Sequence, residues 1–496
     1  METPLPSLLP VWACLASLVA VPLILLFRRE TALREGVTFV AAALKFAFVL
    51  AMIPAVSGGH VLTHTFVSGF SGINVPIMFR VDGLGLLFAL VASSLWIVTS
   101  LYAVGYMRGL NELSQTRFFA YFALSLSATL GVAFAGNLLT LYLCYELLSL
   151  STWPLVTHHQ DKAARSGGRT YLAHLLGTSI AFAIPAIIYT YVKSDGDLTF
   201  GGEAILAASN LGYLPAVGLL LAFAFGFSKA GLMPFHSWLP GAMVAPTPVS
   251  ALLHAVAVVK VGVFCVIRVV TDVFGVDLLG QLGSQKPLAW IAAFTILASS
   301  LIAMSQDNLK RRLAFSTIGQ LSYIILGVCL LNPHAVTGSI MHIAMHAFGK
   351  ITLFFCAGAI FVATGKKYVS QLDGLGRAMP ITFAAFAIGA MSVTGLPPTG
   401  GMISKLYLIW GAADAGEIAL LCVYLISSIL NGVYFFPIVH RAFFRPAPVD
   451  APVTSFHEAP WACVLPLSIT AVSSVLLFFF PGLLFQLASL MTHIHP

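Results

Sequence analysis

The chain has 496 residues, of which 59% are hydrophobic and only 9% charged, with a formal net charge of +7. A soluble domain is nearer a quarter charged, so the composition excludes a soluble globular protein and leaves a polytopic membrane protein. The basic excess is not a nucleic-acid footprint: Lys and Arg fall in small groups between apolar runs, with no basic tail.

A membrane span needs roughly 20 apolar residues. Hydropathy and turn signals predict 14 spans, near 8–27, 37–56, 82–105, 117–135, 137–157, 170–192, 214–240, 246–270, 287–305, 312–331, 336–363, 380–412, 417–440 and 461–488. The first run has its charges after the apolar stretch, so it reads as a helix and not as a signal peptide. The seven cysteines are scattered, without a CxxC pair. They read as small buried hydrophobes, not as disulfides or iron–sulfur ligands.

Alternate loops differ in charge. One set collects Arg28, Arg29, Arg34, Arg108, Arg117, Lys162, Arg165, Arg169, Lys310, Arg311, Arg312, Lys366, Lys367, Arg377, Arg441 and Arg445. The other holds only Arg80, Lys193, Arg268 and Lys286. Basic loops stay in the cytoplasm, which places both termini outside. Lys45, Lys229, Lys260, Lys350 and Lys405 then remain within spans, with Glu146 as the one acid well inside and Asp82 at the mouth of the third.

An ionised residue at mid-bilayer costs roughly 2.5–3.5 kcal/mol on the lenient scale, so these groups must face protein or water. Glu146, in "LYLCYELLSLSTWP", is too deep to snorkel; it reads as a relay or gating carboxylate paired with a lysine, or as a structural tie between helices. Lys229 is the expected partner. It precedes "GLMPFHSWLP", where prolines break the helix, and irregular backbone at this depth is tolerated only where protein or water satisfies it. "SVTGLPPTGGMISKLYLI" repeats the device and presents Lys405. Two broken spans five spans apart predict an internal duplication, inverted because five is odd: spans 4–8 and 9–13.

Between the breaks, His342, His346 and Lys350 follow at i+4 steps on one helix face. Histidine titrates near neutrality, so a proton relay is the leading reading, beside structural hydrogen bonding. Zinc is set aside for want of a neighbouring carboxylate or thiolate. His254 and Lys260 point to different faces of the eighth span, and Lys260 is the better relay candidate. Lys45 has no evident partner; His236, His158 and His159 read as peripheral, and His174 is placed to donate to Glu146 or water. Ser316, Thr317, Gln320 and Ser322 offer polar groups that hydrate a path without carrying charge.

Four stretches, "KAGLMPFHSWLPGAMVAPTPVSALLHAVAVVK", "LKRRLAFSTIGQLSYIILG", "MHIAMHAFGKITLFFCAGAI" and "GLPPTGGMISK", resemble the proton-conducting antiporter-like subunits. That superfamily is shared by Mrp-type multisubunit cation/proton antiporters, respiratory complex I and membrane-bound hydrogenases. The resemblance spans roughly 80–445. It implies an all-α fold of about 14 transmembrane helices with two inverted five-helix repeats and broken helices 7 and 12. It also implies that Glu146 matches the acid of the fifth helix, Lys229 the lysine of the seventh, and Lys260 and His254 positions on the eighth. His342, His346 and Lys350 match the eleventh-helix relay, and Lys405 the ionisable residue of the twelfth. Lysine there disfavours one complex I paralogue, and the sequence reads without the long lateral helix of the largest. Both lean toward the D subunit of Mrp-type antiporters.

The expected units are 1–110 as a three-helix segment, 111–272 and 285–445 as the repeats, and 446–496 as a C-terminal helix. The expected function is proton translocation in a sodium/proton antiporter of the cell membrane of bacterial or archaeal type. Its partners are other integral membrane subunits, with no nucleic acid, cofactor or metal. The alternatives are a proton-pumping subunit of a complex I-type or hydrogenase assembly, a subunit of an inorganic-carbon uptake system, or a passive scaffold. A redox enzyme in its own right is not supported, because no haem, cysteine-cluster or dinucleotide motif is present.

Overall fold

The computed structural model describes residues 3–69, 75–447 and 456–492. Among them, eleven helices are long and apolar enough to cross a membrane. These eleven, with α7, α10 and the two-piece α12 below, make a bundle of fourteen that begins in chain order with α1 (Leu9–Leu26), α2 (Thr31–Ser57), α3 (Gly83–Gly109), α4 (Gln115–Ala133), α5 (Leu138–Val156) and α6 (Lys162–Lys193). There follow α7 (Tyr213–Gly226), α8 (Val249–Phe274), α9 (Lys286–Ser305), α10 (Leu309–Val328) and α11 (Pro333–Thr364). The set closes with α12 in two pieces (α12a, Pro380–Thr394; α12b, Gly400–Asp414), α13 (Ile418–Phe444) and α14 (Trp461–Phe479). The chain is a polytopic all-α membrane protein.

Several helices run further than hydropathy suggests. α6 starts at Lys162 and takes Arg165 and Arg169 into its first turns, because a helix continues through the interface where charged side chains stay wet. Arg268 and Asp272 make a larger departure. They lie in the last turns of α8, where Arg268 is fully buried and ion-paired to Asp82 at 2.6 Å and to Asp272 at 3.4 Å. Asp82 also caps α3, accepting from the Gly85 N–H at 2.9 Å. A loop arginine was expected; an arginine tying the start of α3 to the end of α8 is found.

A second departure is a small sheet of β1 (Thr3–Pro6), β2 (His60–Val67) and β3 (Ile77–Val81) on the face that carries the termini. β2 is central, parallel to β1 and antiparallel to β3. These strands are short and carry polar residues, so hydropathy reads them as loop.

Both predicted breaks are present. After α7 the chain turns through residues 227–248, where Pro234, Pro240, Pro246 and Pro248 withhold backbone donors. Pro397 and Pro398 separate α12a from α12b. A glycine on a neighbouring segment makes room at each break. A Cβ on Gly262 of α8 would lie 2.0 Å from Ala230 N, and one on Gly401 would lie 1.8 Å from Ser392 O. Neither site admits a side chain without moving backbone.

The duplication leaves a residue-level trace. Asn137 caps α5, accepting from the Thr140 N–H at 2.8 Å, and its backbone bridges to Thr199. Asn308 caps α10, accepting from the Arg311 N–H at 3.1 Å, and bridges to Tyr368. These caps stand five spans apart, hence at opposite ends of the bundle. α8 is the innermost span, buried over its whole apolar window, whereas α1 and α2 are peripheral.

Candidate functional site

The intramembrane lysines are all buried, and among the described residues none is ion-paired. Lys229, at the break after α7, donates to the Tyr145 carbonyl at 2.9 Å and to Ser149 Oγ at 2.6 Å, and its ammonium lies 3.1 Å from the Tyr145 ring centroid. Tyr145 and Ser149 are one turn apart on α5. A hydrogen bond to a charged group contributes about 1.5–3 kcal/mol, and a desolvated cation over an aromatic face about 2 kcal/mol. Together these match the ~2.5–3.5 kcal/mol insertion cost, so the charge needs no carboxylate. The anticipated ion pair with Glu146 is not formed here. The Glu146 carboxylate oxygens are buried and accept no hydrogen bond among the described residues.

The central cluster joins α8, α10, α11 and α12b. Lys260 bonds His346 Nδ1 at 2.9 Å and also donates to the Ala255 carbonyl. His346 and His342 stack with centroids 5.6 Å apart and planes inclined by 7°. His342 Nε2 meets Gln320 Oε1 at 3.0 Å and Nδ1 meets Ser404 Oγ at 2.8 Å. The amide oxygen only accepts, so Nε2 carries hydrogen; Nδ1 meets the Ser404 hydroxyl, which also donates to the Gly401 carbonyl at 3.3 Å. Both His342 nitrogens are engaged, whereas His346 Nε2 has no hydrogen-bond partner among the described residues.

Beyond His342, the Tyr323 ring stacks on the imidazole at 5.9 Å and lies 4.7 Å from the Lys405 ammonium. Lys405 donates to the Thr394 carbonyl at 3.1 Å and to Ser428 Oγ at 3.2 Å. Lys350 donates to Ser316 Oγ at 2.7 Å, which also accepts from Tyr434 at 2.9 Å.

On the basic face, a cavity of about 630 Å³ reaches Ala245 and Thr247, at the foot of α8. Glu112 and His159 line it and meet at 3.1 Å, joining the α3–α4 and α5–α6 loops. Their hydrogen bond holds the His159 pKa up and the Glu112 pKa down. Burial pushes neighbouring His158 down to about 4, so of the two histidines His159 is the one that keeps its proton to higher pH.

Residues 135–431 match the family described as "NADH:quinone oxidoreductase/Mrp antiporter, TM". This chain belongs to that family. NADH-quinone oxidoreductase subunit N of Desulforudis audaxviator is 33% identical over 87% of this chain and 86% of its own length. A Na(+)/H(+) antiporter subunit of Alkalihalophilus pseudofirmus is 31% identical over 95% of this chain but only 61% of its own. In fold, the chain is similar to one in the Mrp complex from Dietzia sp., with TM-score 0.84 at 24% identity over 98% and 96% of the two chains.

In this antiporter-family chain, His254 stands apart from the cluster. Its ring lies 6.0 Å from Tyr171 and 6.3 Å from Trp238, and neither nitrogen has a hydrogen-bond partner among the described residues. The six-residue spacing puts Lys260 and His254 on different faces of α8, whose Val249–Ala257 stretch is π-helical. His174 bonds Ser237 Oγ at 2.9 Å and the Thr170 carbonyl at 2.9 Å, not Glu146. Lys45 donates to the Leu126 carbonyl at 2.8 Å beneath Trp96, a tie among α2, α3 and α4. Sequence reasoning missed Tyr145, Ser149, Ser404 and Tyr323. The i, i+4 spacing of Tyr145 and Ser149 beside Glu146 was the available signal.

Proposed function

We propose that the chain is the proton-translocating subunit of a multisubunit Mrp-type sodium/proton antiporter, working beside other integral membrane subunits in the cell membrane of a bacterium or archaeon. Its basic face is cytoplasmic and its termini are outside. The units 111–272 and 285–445 carry the two halves of the path. The observation that carries this reading is the Lys260–His346 hydrogen bond, buried at the meeting of the two halves.

The residues act in order. Lys229 holds a proton on α5, one residue from Glu146, and releases it when the seat on α5 loosens. Lys260 takes it up and gives it to His346 Nδ1 along the existing hydrogen bond; His346 then passes its Nε2 proton to His342 by way of a bridging water. His342 takes a proton at Nδ1 as the Ser404 hydroxyl turns to accept, and Lys405 takes it at the second break. Lys350 tunes this segment from one turn away. Glu146 supplies the negative charge that draws the Lys229 ammonium back. His254 lies off this line. Each charge moved is worth about 2.3 kcal/mol per 100 mV of membrane potential.

The test is proton flux into vesicles containing the purified complex. A sodium pulse is expected to drive it. A second reading, a proton-pumping subunit of a complex I-type assembly, is favoured by one observation: the chain covers 86% of the quinone-oxidoreductase relative but 61% of the antiporter one. Flux that follows NADH oxidation and ignores sodium would select it over the antiporter.

A further inference from the structure

Lys229 and Lys405 stand at the two ends of the relay, and each is held by the same three kinds of group: one carbonyl, one hydroxyl and one tyrosine ring. α5 alone supplies all three to Lys229, as Tyr145 O, Ser149 Oγ and the Tyr145 ring. For Lys405 they come from three helices, as Thr394 O on α12a, Ser428 Oγ on α13 and the Tyr323 ring on α10. The rings come from the repeat-equivalent helices α5 and α10, whereas the carbonyl and the hydroxyl come from different elements in the two halves.

Both rings are pinned by their hydroxyls. Tyr145 accepts from the Lys229 backbone N–H at 3.3 Å, so the ring that holds the ammonium also holds the broken backbone. Tyr323 donates to the Tyr424 carbonyl at 3.1 Å.

We propose that Tyr145 and Tyr323 are positioning residues whose ring faces keep the end lysines charged yet able to release their protons, an inference that rests on the relay reading above. The physical case is a comparison of partners. A carboxylate would hold an ammonium more strongly, but a lysine that then gave up its proton would leave an unpaired anion in the core, which is costly. The ring quadrupole attracts the cation and carries no net charge. When the proton leaves, a neutral amine faces a neutral ring, and the seat itself leaves no new anion behind; among the described residues the one standing negative charge near Lys229 is Glu146, which draws the proton back. The same ring under Lys405 stacks on His342, so Tyr323 touches donor and acceptor of the last transfer.

The test incorporates phenylalanine and its mono-, di- and trifluoro derivatives at 145 and at 323 in the complete complex, with Phe383 as the control ring. Fluorine withdraws electron density from the face and leaves the shape nearly unchanged. Proton transport is read against pH. Phe at either site keeps the ring face but loses the hydroxyl that pins it, so it is expected to lower transport in part and to serve as the reference of its fluorine series. Each added fluorine is expected to move the alkaline limb to lower pH, by roughly three- to tenfold in proton concentration across the series, with no shift at 383. A midpoint independent of fluorine count, or loss of transport with Phe alone, overturns the proposal. Lys229→Ala separates the two claims. If it abolishes transport while the fluorine series is flat, only the tyrosine role fails; if it transports normally, the relay reading itself fails.

Discussion

Lys260 is the residue on which the chemistry turns, since it is the lysine whose ammonium meets a histidine nitrogen. Arginine keeps a charge of similar reach but does not release its proton. Lys260→Arg is therefore expected to assemble and to lose nearly all proton flux, whereas a merely structural lysine would tolerate the exchange. A second residue-scale prediction concerns the clasp on the basic face. The His159 pKa is raised by its bond to Glu112, so its contribution is complete below about 6.5 and is lost as pH rises through the higher folded value. The Glu112 pKa is lowered by the same bond, so its contribution is present above about 4.3 and is lost as pH falls through the lower folded value. The clasp is tightest between those limits. Hydrogen-exchange protection in the 110–114 and 157–161 loops, taken relative to the intrinsic rate at each pH, is expected to fall on the alkaline side in the wild type and to lose that dependence in Glu112→Gln. The lysines and histidines of the site were legible in the sequence because a charge in an apolar run is costly. The tyrosines were not, because an aromatic residue in such a run has an ordinary place in the core. Nor did residue order reveal that Lys229 turns to Tyr145 and Ser149 while Glu146 stays unpaired.

At the scale of the element, each break is held open by a glycine contact as well as by its prolines. Prolines announce themselves, so both breaks were readable; the glycines were not, because their role is set by a segment that packs on them. Gly262→Ala would put a Cβ 2.0 Å from Ala230 N. Overpacking of this kind costs about 1–3 kcal/mol. The variant is expected to melt earlier in detergent and to transport poorly, since Ala230 adjoins Lys229. Gly36, with open space where a Cβ would stand, is the matching control and is expected to melt as the wild type does. The π-helical stretch of α8 was equally hidden, although the six-residue spacing already put His254 and Lys260 on different faces.

Over the whole molecule, the charge bias of the loops and the odd number of spans per repeat gave the architecture, and the paired caps at Asn137 and Asn308 carry it to single residues. Hydropathy could not reveal how distant spans are tied. Arg268 looked like a loop charge, yet it links α3 to α8 through Asp82. Breaking a buried pair from one side costs about 3–5 kcal/mol. Arg268→Leu is expected to lower thermal stability by that amount, and Asp82→Asn in the same chain to recover part of it. Failure of the second change to rescue would mean that Arg268 acts through packing alone.

The central claim is that protons cross between the two halves through Lys260 and His346. The most direct measurement is sodium-driven proton flux in vesicles holding the complete complex with His346→Gln, beside the wild type at matched assembly. The account predicts that flux falls to the level of empty vesicles while the complex stays intact. Flux within a factor of about two of the wild type, under 0.5 kcal/mol, would contradict it and place the path elsewhere.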